Sequence, residues 1–390
     1  MIRTIRPQEI EQSLKLTQVA FGVQFSDEQE KERRDQMNTN EYLGFFVDGS
    51  LASQLAILPL RIYLQGAVLE MGGIAHVASY PELRKQGMAG KLLASSLEKM
   101  KTNGQSVSML NPFSYAFYRK YGWEYFAVEK TYTFDMSVIP KHMSPEGGSV
   151  KRMKASDWRT AKIIYDAYAL RYNGMLVRDE RWWISQVFKR KPGYFTVYYN
   201  VKGAPMGYLL FDIKATFMNI HEIVYLDESA RRGLWQFVGN HSPIVNRIGF
   251  HAPIDDPFLF TMSEPKLQQE LSPKCMVRIV DVGAFIGQYR FAHERAPAKL
   301  TIRLKDEHAE WNRGLWDIVI HSDGSGSAAR CEDDRKSVVS CDIQTFSTMM
   351  IGCQRPEQLA LLGSLRGNAE EIGKWERAIP RRISYSSDLF

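Results

Sequence analysis

The chain has 390 residues, 44% hydrophobic and 24% charged, with a net charge of +6. That length accommodates two or three domains of ordinary size, and the balance is that of a globular chain rather than a disordered one. The charge is modest, no Lys/Arg run is interleaved with aromatics, and no apolar run approaches the ~18–20 residues that span a bilayer, so neither nucleic acid nor a membrane is an expected partner.

The start, "MIRTIRPQEIEQSLKL", lacks the apolar core of a secretory signal, which points to a cytoplasmic protein. Apolar residues then recur at helical spacing over residues 7–20. The stretch "YLGFFVDGSLASQLAILPLRIYLQGAVLEMGGIAHVASY" reads as three strands, with turns at Asp48-Gly49 and Gln65-Gly66. "GMAGKLLASSLEKMKTNG" is a helix with Met88, Leu92, Leu93 and Leu97 on one face and Asn103-Gly104 as its stop. "QSVSML" is a short strand, and "SYAFYRKYGWEYF" a short helix leading into another strand.

The Pro/Gly/Ser-rich "PKHMSPEGGSV" marks a boundary near residue 143. Beyond it three echoes of the first segment recur in the same order at similar offsets, about 146–152 residues. "IRTIRPQEI" is matched by "VKRMKASDW", the first hairpin by "YFTVYYNVKGAPMGYLL", and "YPELRKQGMAGKLL" by "LDESARRGLWQFV". Together they indicate an internal duplication. In the last echo Gly87 falls on Gly233, Arg84 on Ala230 and Ala89 on Trp235, so the second copy is expected to keep the fold with its cleft filled by the tryptophan. From about residue 285 the texture changes to strands followed by amphipathic helices, an α+β third domain closed by a tail from Pro380. The expected domains are therefore 1–143, 144–284 and 285–390.

Cys275, Cys331, Cys341 and Cys353 have no C-x-x-C spacing, and the eight histidines form no ligand cluster, so unpaired thiols and no metal site are expected. The stretch that carries chemistry is "HVASYPELRKQGMAGKLL". A strand ends at Ser79-Tyr80, and a glycine turn then opens a helix whose first N–H groups and dipole suit a pyrophosphate. Gly87 permits close approach, Ala89 is small, and Arg84 and Lys85 add charge; G-x-x-x-x-G-K-[ST] and G-x-G-x-x-G are both absent. His76 and Glu82 lie nearby, as a strand histidine of the kind more often packed in a core and a helix-entry residue.

R-x-x-G-x-A after a strand resembles the acyl-CoA-binding motif of the GNAT N-acetyltransferases, and the whole layout resembles their Eis (enhanced intracellular survival) family. The resemblance implies an α/β and α+β chain: two tandem GNAT-like acetyltransferase domains followed by a sterol-carrier-protein-like domain. It implies acetyl-CoA as co-substrate, its pantetheine arm received by backbone of Val77 and Ser79 and its pyrophosphate by Arg84, Lys85, Gly87, Met88 and Ala89. The Val77 N–H would face the thioester oxyanion. The family's general-acid tyrosine falls on Tyr118 in "FYRKYGW", with Arg119 where glycine is common. A phenol of pKa ~10 keeps its proton at neutral pH and can donate it to a departing thiolate of pKa ~8.5, although Tyr115, Tyr121 and Tyr125 crowd the same segment.

The resemblance also implies that the α-carboxylate of Phe390 is the base, that the acceptor is a primary amine of aminoglycoside, polyamine or lysine type, that transfer is direct, and that the chain assembles as a homo-oligomer, a hexamer in the family. Leu389 stands where the family has an acidic residue, which puts breadth towards aminoglycosides in question. A different class of function stays open: an apolar-ligand-binding protein using the sterol-carrier-like domain, with a vestigial acetyltransferase domain.

Overall fold

In a computed structural model the described residues are 1–390 except 141–142, 263, 293–296 and 332–337, so Lys141 and His142 of the expected linker lie outside them. The strands in chain order begin with β1 (Ile2–Thr4), β2 (Tyr42–Val47), β3 (Ser50–Leu64), β4 (Ala67–Ser79), β5 (Val107–Leu110) and β6 (Glu124–Tyr125). Between them lie α1 (Ile10–Phe21), α2 (Asp27–Gln36), α3 (Met88–Thr102) and α4 (Tyr115–Arg119). Asp48, Gly49, Gln65 and Gly66 all have positive φ, as the tight turns between these strands require. Leu92, Leu93, Leu97 and Met100 of α3 are fully buried against this sheet, worth roughly 1.5–3 kcal/mol each in apolar burial. The sequence pattern missed α2, whose ten polar residues bury nothing. Its legible signal is the Ser26–Gln29 capping box, which closes in both directions.

The chain continues through β7 (Val128–Asp135), β8 (Ser149–Met153), α5 (Trp158–Ala169), β9 (Tyr194–Tyr199), β10 (Pro205–Lys214) and β11 (Phe217–Tyr225). Then come α6 (Glu228–Gly239), β12 (Arg247–Pro253), β13 (Gln268–Pro273) and β14 (Met276–Ile279). The last part holds α7 (Val282–Gln288), β15 (Ala298–Lys305), β16 (Gly314–Ile320), β17 (Gly326–Cys331), β18 (Val339–Asp342), α8 (Ile343–Met350), α9 (Pro356–Leu361) and α10 (Ala369–Ala378). The stretch "RPEQLALLGSLRGNAEEIGKWERAI", whose apolar spacing reads as one amphipathic helix, is two helices, α9 and α10.

The compact units are not the continuous segments 1–143, 144–284 and 285–390 but are assembled from separate stretches of chain. One compact unit comprises Met1–Phe126, Cys275–Arg381 and Asp388–Phe390; the other comprises Ala127–Lys274 and Arg382–Ser387. The first unit has a seven-stranded sheet in the order β1-β2-β3-β4-β5-β14-β6 and a four-stranded sheet β17-β16-β15-β18. The second has a seven-stranded sheet β13-β7-β12-β11-β10-β9-β8. The physical reason is strand exchange. β14, from the end of segment 144–284, pairs between β5 and β6, while β7, from the end of segment 1–143, pairs between β12 and β13. A linker rich in Pro and Gly marks a loop, but sheet pairing decides where a unit ends.

Candidate active site

The two large sheets repeat one geometric device. In the first, β4 runs parallel to β5 only from Met71↔Val107 to Ile74↔Leu110. Immediately afterwards β4 carries a bulge: Ala56 pairs with Ala75 and Gln54 with Ala78, leaving His76 and Val77 opposite Leu55. His76 adopts φ 52° and stacks on Tyr42 at 5.8 Å. The end of β4 thus leaves the ladder to β5, opening a wedge with Val77 half-buried on one wall. Ser79 re-joins β3 opposite Ser53, their hydroxyls 2.7 Å apart.

The wedge leads to the turn before α3. Lys85 and Gly87 both have positive φ (64° and 78°), and Gly87 is the N-cap with no side chain capping the helix. A Cβ on Gly87 would meet nothing within 4 Å, so the glycine serves its left-handed conformation and an open approach rather than tight packing. The first N–H groups of α3 therefore face an exposed turn flanked by Lys85, while Met88 is buried and Ala89 half-buried. Arg84 is not turned into the loop: its Nη2 donates to Ala20 O at 3.2 Å, at the carbonyl end of α1. The turn's anion-directed donors are chiefly backbone, with Arg84 beside them.

Tyr118 lies on α4 and is 2% exposed, in the same apolar cluster as Val77, Ile74 and Leu110 of the wedge. Phe113 and Phe117 meet its ring edge-on at 5.2 and 5.1 Å. Among the described residues no hydrogen bond holds its hydroxyl, and burial pushes its pKa well above the ordinary phenol value. Its neighbours differ: Tyr121 packs on His308 at 4.9 Å, and the Tyr125 hydroxyl accepts from Gln354 Nε2. The turn after α4 is anchored from below. Arg278 of β14, fully buried, donates to Tyr121 O and, at 2.7 Å, to both oxygens of Asp306.

At the chain end Asp388–Phe390 pack with the first unit. A Cβ on Gly73 of β4 would come within 2.9 Å of the Phe390 ring and of Leu60, so glycine is what lets the ring lie on this strand. Gly73 is three residues before His76, so bulge, wedge and terminal ring share one strand.

In the second copy the expected block is corrected. Trp235 is not in a cleft; it sits in the core of that sheet against Phe250 (5.1 Å) and Phe258 (4.5 Å). Gly233 lies inside α6 with Tyr198 against it, because α6 starts at Glu228 and the echo was out of register. The cap that corresponds to Gly87 is Asp227, whose carboxylate accepts from Ala230 N at 2.7 Å. It occupies with its own charge the helix start that α3 leaves open.

Comparison with known proteins fits this layout. Residues 1–126 and 174–279 match acetyltransferase (GNAT) domain families, and 282–387 match a sterol carrier protein domain. N-acetyltransferase Eis of Mycobacterium tuberculosis is 22% identical over 330 residues, covering 81% of this chain and 79% of that protein. The chain is a GNAT acetyltransferase with an Eis-like layout. An uncharacterized N-acetyltransferase of Streptomyces griseus is 22% identical over 325 residues, 76% of each chain. Among solved structures, a probable N-acyltransferase of Enterococcus faecalis superposes with TM-score 0.92 at 25% identity, covering 100% of this chain and 99% of that one. Eis1 of Mycobacterium abscessus superposes with TM-score 0.82 at 17% identity over the whole of both chains. GNAT acetyltransferases use acetyl-CoA, and for an Eis-like chain the open helix start at Gly87 and the capped one at Asp227 separate the two copies. No helix among the described residues of this Eis-like chain is long and apolar enough to cross a membrane.

Proposed function

We propose that this acetyltransferase moves the acetyl group of acetyl-CoA directly to a primary amine, of aminoglycoside, polyamine or lysine type. The observation that carries the reading is the convergence on β4. The bulge at His76–Val77, Tyr118 buried in the apolar cluster that includes Val77, and the Phe390 ring on Gly73 all belong to one unit. Val77 and Ser79 would receive the pantetheine arm along the unpaired end of β4. The α3 turn from Arg84 to Ala89 would hold the pyrophosphate. The amine nitrogen adds to the thioester carbonyl, and the Val77 N–H stabilises the oxyanion. The C–S bond then breaks, and the thiolate takes its proton from Tyr118. The ammonium proton goes to the α-carboxylate of Phe390, directly or through a water; an α-carboxyl of pKa ~3.3–3.7 is a weak base whose main help is orienting the amine and balancing its charge. We further propose a homo-oligomer in the cytoplasm, a reading to which the exposed Leu361 and Leu362 (89% and 72%) are suited; size-exclusion with light scattering tests it.

Turnover of acetyl-CoA over an amine panel tests the reading, with Tyr118→Phe alongside. The expected result is a kcat lower by about 10²-fold with the acetyl-CoA KM little changed. An undiminished kcat removes Tyr118 as the acid. Appending a few residues after Phe390 should likewise lower kcat and leave acetyl-CoA binding in place.

A further inference from the structure

The second copy's wedge is filled, and what fills it is the chain's own tail. β11 runs parallel to β12 only as far as Ile220↔Phe250, and then bulges at His221, since Phe211 pairs with Ile220 and Leu210 with Glu222. The strands part there as β4 and β5 do in the first copy. The space between them is lined by His221–Tyr225 of β11, His251–Pro253 of β12, and by Tyr385 and Ser387 of the tail. What remains is about 20 Å³, room for one water.

The tail is held residue by residue. Arg382 Nη1 donates to Leu170 O at 2.8 Å, Asn173 N to Ile383 O at 2.9 Å, and Tyr385 N to Asn173 O at 2.9 Å. The Tyr385 ring, 5% exposed, packs on Tyr172 at 5.5 Å. The final hold is on Ser387: Arg178 Nη2 donates to its Oγ at 3.2 Å, and Lys191 Nζ to its carbonyl at 3.4 Å. Both cations are fixed by Glu222, beside the bulge. Its carboxylate accepts from Arg178, from Lys191 at 2.5 Å and from the Tyr208 hydroxyl at 2.7 Å. Arg178 is wholly buried, its guanidinium 3.8 Å from the centre of the Tyr165 ring.

A buried ion pair seldom adds stability over apolar residues of the same volume, but it fixes register, because its partners tolerate few positions. Here it directs two donors at one residue, three positions before Phe390. A slip of one residue along the tail moves everything beyond it by about 3.3 Å, enough to take a carboxylate out of hydrogen-bond reach.

We propose that Glu222, Arg178 and Lys191 form a clamp in the second copy's wedge that sets the register of the tail, and so positions the Phe390 carboxylate for the reaction. The clamp residues are positioning residues, and the proposal rests on the reading of Phe390 as base. It gives the second copy a role in the reaction that needs no acetyl-CoA of its own.

The test uses the full chain with Glu222→Gln, and with Ser387→Ala, which leaves the buried pair intact and so keeps a folded comparison. Amide exchange over residues 382–390 and steady-state kinetics are read together. The clamp predicts exchange of tail amides faster by roughly 10-fold or more in both variants, and a kcat lower by about 10-fold with the acetyl-CoA KM unchanged. Ser387→Thr, which keeps the hydroxyl, should restore both. Unchanged tail protection in both variants overturns the clamp whatever the activity does. A freed tail with full kcat in a variant that melts normally overturns the role of Phe390 instead, and with it the positioning function.

Discussion

Single residues at this site are chosen for what they leave out. Gly87 has φ 78° with nothing near its absent Cβ, so Gly87→Val meets backbone strain and crowds the approach to the α3 N–H groups. We expect the acetyl-CoA KM to rise by roughly 10-fold with only a small fall in Tm, read by kinetics and thermal melting. Gly73 leaves space for Phe390, and the two glycines predict opposite kinetic signatures. Gly73→Ala should displace the ring and lower kcat severalfold, leaving acetyl-CoA affinity intact by calorimetry. For Tyr118 the sign is simple. An acid must be protonated to act, and burial raises this phenol above its ordinary pKa of 10, extending the active form upward in pH. The pH profile of kcat should therefore show no alkaline fall due to Tyr118 up to about pH 10; a fall near pH 8–9 that vanishes in Tyr118→Phe would contradict this.

At the level of elements, α4 is too short to hold its own position; its five residues depend on the turn that Arg278 grips. Burial lowers the Arg278 pKa and Asp306 opposes that, so the pair stands only while both partners are present. Asp306→Ala should cost about 3–5 kcal/mol in chemical denaturation, since it strands a buried cation. Asp306→Leu with Arg278→Met should cost much less. Helical periodicity alone makes α3 legible in the sequence, as alternation and glycine turns do for β2–β4. The Gly87 turn is legible from local spacing, whereas only the family resemblance separates Tyr118 from Tyr115, Tyr121 and Tyr125. The bulges are not legible, because they arise from pairing between strands. The Asp227 cap is written in the sequence as an aspartate before a helix, but the echo of Gly87 in Gly233 points six residues too far along.

Across the whole chain the duplication is plainest in topology: both large sheets place a parallel pair at their middle, bulge just beyond it, and take one strand from outside their own segment. Only one copy keeps an uncapped helix start, so calorimetry should give one acetyl-CoA per chain, and Asp227→Gly should still give one because the tail fills that wedge. Acid should weaken the second unit in two stages. Burial lowers the pKa of His221 against the pull of Asp212, so below about pH 6.5 the unfolded chain takes the proton first. Burial raises Glu222, yet Arg178 and Lys191 outweigh it and hold the carboxyl low; the stability this gives is present above its unfolded pKa of 4.5 and is lost as pH falls below. Protection factors of amides in residues 127–274, taken relative to the intrinsic exchange rate at each pH, should fall from pH 7 to pH 4, with the lower stage flattened in Glu222→Gln.

The exchange of β7 and β14 also sets a timetable. β5 cannot gain its outer neighbour, nor β6 its only one, until Met276–Ile279 has left the ribosome. At ~5–20 residues per second, the edge of Val107–Leu110 stays open for on the order of ten seconds during synthesis. A nascent chain arrested anywhere between residues 127 and 274 carries β5, a wholly buried-type strand, with one edge open, so released fragments of that length should aggregate while the finished chain does not.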